Sequence, residues 1–281
     1  MKTLGLLTLF FAFAGYAFPS TQNPVSRYFQ RVPIERAHNT IGSAQGFELE
    51  SNDLKVLIWN VKKGMKESFT SEFVKHGEKK DIFMIQEAYT ADFFRDSLAS
   101  FSHYQWDLGI SFTYRLYNND GTGNMIGSWV KPTWVKVEHS LDLEPVTDTP
   151  KTTAYAKYRI NGKEEELLVI SIHGINFANL GAYERHLDQV KKNIQTHQGP
   201  VIFAGDFNTR TKRRFAELLE MTHELGLQEV KFVNGDFRMR AIGTRNILDH
   251  AFVRGFDIRH AEVFQSDGSD HRPMTINLQF L

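Results

Sequence analysis

Short apolar runs that stop abruptly at a polar residue recur along the chain. Lys55-Val-Leu-Ile-Trp-Asn60, Asp81-Ile-Phe-Met-Ile-Gln-Glu87 and Val201-Ile-Phe-Ala-Gly-Asp206 each read as a buried strand with a polar last residue. Leu167–Ile172 is a fourth such run and ends at His173. Gly123–Lys131, Leu248–Val253 and Met274–Phe280 predict further strands. Tyr155–Ile160 and Lys163–Ser171 flank Asn161-Gly162, which suits a type I′ hairpin turn because both central residues need positive φ. Helical spacing of Tyr183, Leu187, Val190 and Ile194 predicts an amphipathic helix over residues 182–197. Phe69 and Phe73 mark a short helix within Glu67–Lys79, and Phe215, Leu218, Leu219 and Leu225 a third. Strands and helices alternate, yet a hairpin occurs too. The fold class expected is therefore α/β (α+β) with a mixed sheet, in one folded domain over residues 54–281.

The N-terminus has a different texture. Lys2 precedes an apolar run, Leu4–Phe18, with small residues at Gly15 and Ala17. That pattern predicts a secretory signal peptide over residues 1–17, and hence export to a periplasmic or extracellular space. The run is too short for a comfortable membrane span. Residues 18–53 lack periodicity and are expected to form an extended arm or linker.

Composition narrows the chemistry. The 281 residues carry 33 Lys+Arg and 33 Asp+Glu, for zero formal charge, so any attraction for a polyanion must be local. The absence of cysteine excludes disulfides, thiolate metal sites and a Cys nucleophile. What remains is oxygen and imidazole chemistry at the strand ends. Asp206 and Asn208 stand two apart, on one face of a strand end. Asn60, Glu87, His173 and Asp249 end or begin other strands, and Ser269-Asp270-His271 precedes the last. Each alone is more often a turn former. Together they gather where α/β sheets bind ligands. Glu87 and Asp270 suit Mg²⁺ or Mn²⁺. His173 and His271 suit acid–base work or a phosphate oxygen, and Asp249 could fix a histidine tautomer.

The ordered set Trp59-Asn60, Ile85-Gln86-Glu87, His173-Gly-Ile-Asn176, Gly205-Asp-Phe-Asn208, Leu248-Asp249 and Ser269-Asp-His271 resembles the endonuclease/exonuclease/phosphatase superfamily, in particular its bacterial YafD-like branch. The resemblance implies a deoxyribonuclease I-like, four-layer sandwich of two mixed β-sheets flanked by helices. It also implies Mg²⁺-dependent phosphodiester hydrolysis. Glu87 would be the principal metal ligand, with Asp270 near the metal and Asn60 either assisting there or orienting Asp206. Asp206 would handle the nucleophilic water, Asn208 and Asn176 would contact phosphate, and His173 would contact phosphate or protonate the leaving oxygen. His271 would pair with Asp249, and either Asp206 or His271 would be the base. Where some relatives carry an acid two residues after the first-strand Asn, this chain has Lys62, which suggests a phosphate contact.

Arg210, Lys212, Arg213 and Arg214 follow Asn208, and Arg238, Arg240 and Arg245 precede Asp249. Cations in the first turn of a helix oppose its dipole, and a bound anion would offset that cost. The expected substrate is accordingly nucleic acid, bound by a monomer through Lys62, Arg213, Arg214 and Arg245. A phospholipase C or sphingomyelinase type, a polyphosphate phosphoesterase and a non-catalytic polyanion-binding module are the alternatives. The motifs of calcineurin-like phosphoesterases and of HExxH metalloproteases are absent.

Overall fold

The structure is a computed structural model and describes residues 24–281. The leader expected over residues 1–17, and residues 18–23, lie outside the described residues. In chain order the elements are β1 (Phe29–Arg31), β2 (His38–Gly42), β3 (Leu54–Asn60), α1 (Phe69–Gly77), β4 (Ile82–Tyr89), α2 (Asp92–Leu98), β5 (Gln105–Tyr114) and β6 (Asp120–Ser128). There follow β7 (Trp134–His139), β8 (Thr152–Arg159), β9 (Glu166–His173), α3 (Leu180–Gln195), β10 (Val201–Asp206), α4 (Lys212–Glu224), β11 (Gln228–Glu229), β12 (Asp249–Arg254), β13 (Phe256–Val263) and β14 (Met274–Phe280).

One sheet runs β1-β5-β6-β4-β3-β14-β13, with β2 also on β5; the other runs β11-β12-β10-β9-β8-β7. Among the described residues β3–β4 and β9–β10 are the parallel neighbours, so both sheets are mixed. Their central strands, β3, β4, β9 and β10, are buried on both faces, because each sheet is covered twice there. Val169, Ile202 and Ala204 meet Val56, Ile58 and Met84 in the core between the sheets. Leu168, Ile170 and Phe203 turn outward onto Tyr183, Leu187 and Val190 of α3 and Leu218 of α4. Leu57, Trp59, Phe83 and Ile85 turn outward onto Phe69 and Phe73 of α1 and Phe94 of α2. The layers are thus helix, sheet, sheet, helix, as the resemblance implied. None of the described helices is long and apolar enough to cross a membrane.

Two expectations need correction. The described part of the segment expected as an arm or linker is built into the sheet. β1 and β2 pair with β5, and Phe29 packs edge-on against Phe112 and Tyr114 at 5.2 and 5.4 Å. Ala37 and Leu49 are fully buried. The hairpin turn is not type I′ either. Gly162 has φ +76°, but Asn161 is not among the positive-φ residues. The β8–β9 ladder opens after Arg159↔Glu166, because Ile160 pairs with Leu49 and the Asn161 N–H goes to the Leu49 carbonyl.

Candidate active site

The two parallel pairs end side by side. In one sheet Asn60 lies opposite Gln86, one residue before Glu87; in the other His173 lies opposite Asp206, and Asp206 opposite Asp249. The backbone is bent to present these groups. Glu87 has φ +53° at an irregularity in the β4–β6 ladder, and Asn208 has φ +51°. Gly205 has φ +144°, and a Cβ there would lie 2.1 Å from the Ile172 carbonyl oxygen. Only glycine lets β9 and β10 approach this closely just before Asp206.

Asp206 Oδ2 is the focus. Asn60 Nδ2 donates to it across the two sheets at 3.1 Å, His173 Nε2 is at 3.5 Å and His271 Nε2 at 3.8 Å. Its other oxygen, Oδ1, accepts the Asn208 N–H at 3.0 Å. Two carboxylates directly opposite on neighbouring strands repel. Here His271 intervenes, with Nδ1 2.9 Å from both Asp249 oxygens. Burial works against charge on His271, but Asp249, then Asp206 and Asp270, raise its pKa to about 10. The loop bearing it is tied to β3: Trp59 Nε1 donates to the His271 carbonyl at 3.1 Å and Ser269 Oγ to the Asn60 carbonyl at 2.8 Å. His173 behaves oppositely. Burial, and then the nearby Lys151 ammonium, lower its pKa to about 3. Lys151 Nζ lies 3.2 Å from His173 Nε2, so that nitrogen is an acceptor.

The other side of the site pairs acids with lysines. Lys62 Nζ donates to Asp270 Oδ2 at 2.6 Å, and Lys63 Nζ to Glu87 Oε2. Burial raises the Glu87 carboxyl, but the Lys63 ammonium, and with it Lys151, holds its pKa well below the usual range. Lys62 therefore contacts a carboxylate in this structure, in place of the expected phosphate. Asn60 is also placed by its bonds. Its Oδ1 accepts the Lys62 N–H at 3.1 Å, leaving its NH₂ to face Asp206 and, at 3.4 Å, Glu87 Oε1. Of the two roles open to it, this geometry is that of orienting Asp206.

Donor chemistry suits a hard cation. Glu87, Asp206, Asp249 and Asp270 are all oxygen donors, and among the described residues Glu87 Oε1 takes only the long Asn60 contact. Ligand atoms of Asp206, Asp249 and His271 converge within 4.8 Å of one another. His271 spends Nδ1 on Asp249, so the cation's place lies better on the Glu87 side.

Other expected phosphate contacts are redirected. Asn208 is 1% exposed and its Nδ2 donates inward to the Gly174 carbonyl at 2.9 Å, clamping the loop after β9. Arg214 is buried, because its guanidinium donates to the carbonyls of Ile175, Asn208, Asn176 and Ala178 and lies 4.8 Å from the Tyr183 ring centroid. The cost of a cation in this first turn is met by backbone dipoles, with no need of an anionic ligand. Arg213 is exposed on α4. Arg245 is exposed at φ +60° on the turn closed by Arg240 and Ile247. Neither reaches the carboxylate cluster with a side-chain bond. Asn176 is better placed: Arg210 Nε donates to its Oδ1, its N–H goes to Glu144 Oε1 at 2.5 Å, and its NH₂ has no partner among the described residues. Arg210 belongs to the basic run expected beside the site, whereas Lys63, Lys151 and Glu144 were missed from sequence. Only Lys63 carried a signal there, its place just beyond the strand-ending Asn60.

A sandwich of two mixed sheets with acids, amides and histidines at facing strand ends defines a class of hydrolases. The chain belongs to the Endonuclease/Exonuclease/phosphatase family, whose family model matches residues 57–271. It is 31% identical to a UPF0294 protein of Vibrio parahaemolyticus over 229 residues, covering 81% of this chain and 78% of that one. Solved structures agree on the fold. An endonuclease/exonuclease/phosphatase from Beutenbergia cavernae superposes with TM-score 0.66 at 15% identity, over 82% of this chain and 72% of that one. The human Nocturnin catalytic domain with bound sulfate gives 0.59 at 17% identity, over 87% and 97%. Sphingomyelinase C from Streptomyces griseocarneus gives 0.58 at 15% identity, over 80% and 99%. The fold alone therefore does not select a substrate.

Proposed function

We propose that the protein is a metal-dependent phosphodiesterase acting on nucleic acid. The observation that carries the reading is the Asp249–His271 pair aimed at Asp206. With Nδ1 held by both Asp249 oxygens, His271 turns Nε2 toward Asp206 Oδ2 and the open side of the site. An imidazole between two carboxylates is a donor, so His271 Nε2–H binds a phosphate oxygen. Asp206 then serves as the base: its Oδ2 is an acceptor fixed by Asn60 and takes the proton of the attacking water. Asn176 presents its NH₂ to the phosphate, and Lys151 faces it through His173. Glu87 and Asp270 would hold Mg²⁺ or Mn²⁺, which when bound supplies Lewis-acid stabilisation of phosphate charge. Exposed Lys212, Arg213 and Arg245 favour a polyanion over a zwitterionic lipid.

The test is hydrolysis of bis-p-nitrophenyl phosphate and plasmid DNA with Mg²⁺, using Asp206→Ala and His271→Ala as controls. Activity in the wild type and its loss in both variants are expected. Activity on neither substrate overturns the enzyme reading, and activity surviving both substitutions overturns the residue roles. Export is proposed as well. The recovered protein should begin near residue 18, and an intact Met1 would count against cleavage.

A further inference from the structure

We propose that Phe177 and Arg210 form a stacking subsite for the nucleobase flanking the scissile phosphate. The inference rests on the phosphodiesterase reading and names the part of the substrate that reading leaves open. Phe177 directly follows Asn176, whose NH₂ has no partner among the described residues, and is 48% exposed. A single exposed aromatic is ordinary on a protein surface. This one is held in place. The Arg210 guanidinium lies 4.8 Å from its ring centroid, and the same Arg210 donates through Nε to Asn176 Oδ1. The Arg210 carbonyl accepts from Thr244 Oγ1 at 2.6 Å and from Asn246 Nδ2 at 2.8 Å. The arginine is thus fixed at both ends and joins three things: the phosphate-facing amide, the aromatic ring and the loop before β12.

A ring and a guanidinium stacked beside a phosphate contact match a planar group carried next to a phosphate, which is a nucleotide. Lys212 and Arg213 stand exposed two and three residues beyond Arg210 and make no side-chain ion pair among the described residues, so the backbone of the next nucleotides would meet positive charge. Stacking of a base on an aromatic is tolerant of sequence. The subsite therefore predicts a nuclease that prefers unstacked, single-stranded substrate without marked base specificity. An acyl surface would need apolar area and no guanidinium plane.

Binding separates the possibilities, because it is read in EDTA and does not depend on turnover. Fluorescent hexathymidylate and its counterpart with tetrahydrofuran in place of every base are titrated against the wild type, Phe177→Ala and Phe177→Trp by anisotropy. The wild type should prefer the base-bearing strand about tenfold. Phe177→Ala should bring the ratio close to one, and Phe177→Trp should keep it. A ratio that persists in Phe177→Ala overturns the subsite, as does an equal weakening of both strands. Loss of phosphatidylcholine-vesicle binding in Phe177→Ala with the base preference retained would assign the ring to a lipid surface and also overturn it. Failure of the phosphodiesterase reading shows separately, as absence of bis-p-nitrophenyl phosphate hydrolysis by the wild type.

Discussion

The two sides of the site solve one electrostatic problem differently. On the six-stranded sheet, Asp206 and Asp249 are answered by an imidazole, His271, whose two nitrogens point to different carboxylates. On the eight-stranded sheet, Glu87 and the neighbouring loop's Asp270 are answered by ammonium groups, Lys63 and Lys62. Imidazole is directional, so it fixes where a proton goes. An ammonium is a compact charge on a flexible stem, so it neutralises without fixing geometry. The first side is built for proton placement and the second for holding charge that a cation can share.

The sharpest way to break this contrast is at Asp206. Asp206→Asn should lower kcat by about 10³-fold or more, and Asp249→Asn by about 10²-fold, since it weakens the orientation and protonation of His271 but leaves the base in place. Equal losses would mean that the two acids act alike. Next in size is Lys63→Met. Leaving Glu87 without its partner should cost about 3 kcal/mol in urea denaturation with EDTA. Saturating Mg²⁺ should then stabilise the variant more than the wild type. An equal gain would show that Lys63 and the cation do not share Glu87. Arg214→Met should cost about 2–4 kcal/mol by stranding the carbonyls it binds, with KM rising because the loops of Asn176 and Asn208 loosen.

A pH dependence comes from behind the imidazole side. His186 is buried, with Nε2 3.1 Å from Thr153 Oγ1 and Nδ1 accepting the Ile175 N–H at 3.2 Å. Burial, then Lys151, lower its pKa to about 4. The unfolded chain takes up that proton near pH 6.5 while the folded chain does not until about pH 4. Between those values the unfolded state binds more protons, so stability falls as pH falls. His186→Gln should flatten the decline, measured by denaturation in EDTA from pH 7 to pH 4. Smallest is Arg213→Ala, which should reduce the salt slope of oligonucleotide binding by about one and leave stability within about 0.5 kcal/mol.

The strand ends were legible because a buried strand on a doubly covered sheet is a near-continuous apolar run, and its first polar residue stands out. Asn60, Glu87, His173 and Asp206 were found that way. Contacts set by how the sheets face each other were not legible. Nothing in the run Arg210–Arg214 says that Arg214 turns inward onto carbonyls while Arg213 stays in solvent. Lys151 lies 22 residues before His173 and reaches it only because β8 and β9 are paired. The Asn161-Gly162 signal was overridden by pairing with Leu49, a long-range contact that local turn preference does not encode. Strands as short as β1 carry too few residues to show a period.

Residues 29–42 have a consequence beyond their small size. β5 is ten residues long and bears Trp106, Phe112 and Tyr114. With β1 and β2 in place, its outer rim is zipped along nearly its whole length. A chain cut back to Leu54 would leave that rim as an open, aromatic-rich edge, a template for strand-to-strand aggregation. A peptidase cutting near residue 17 spares the zipper, whereas one cutting between Arg31 and His38 would disconnect β1, three of its eight residue pairs.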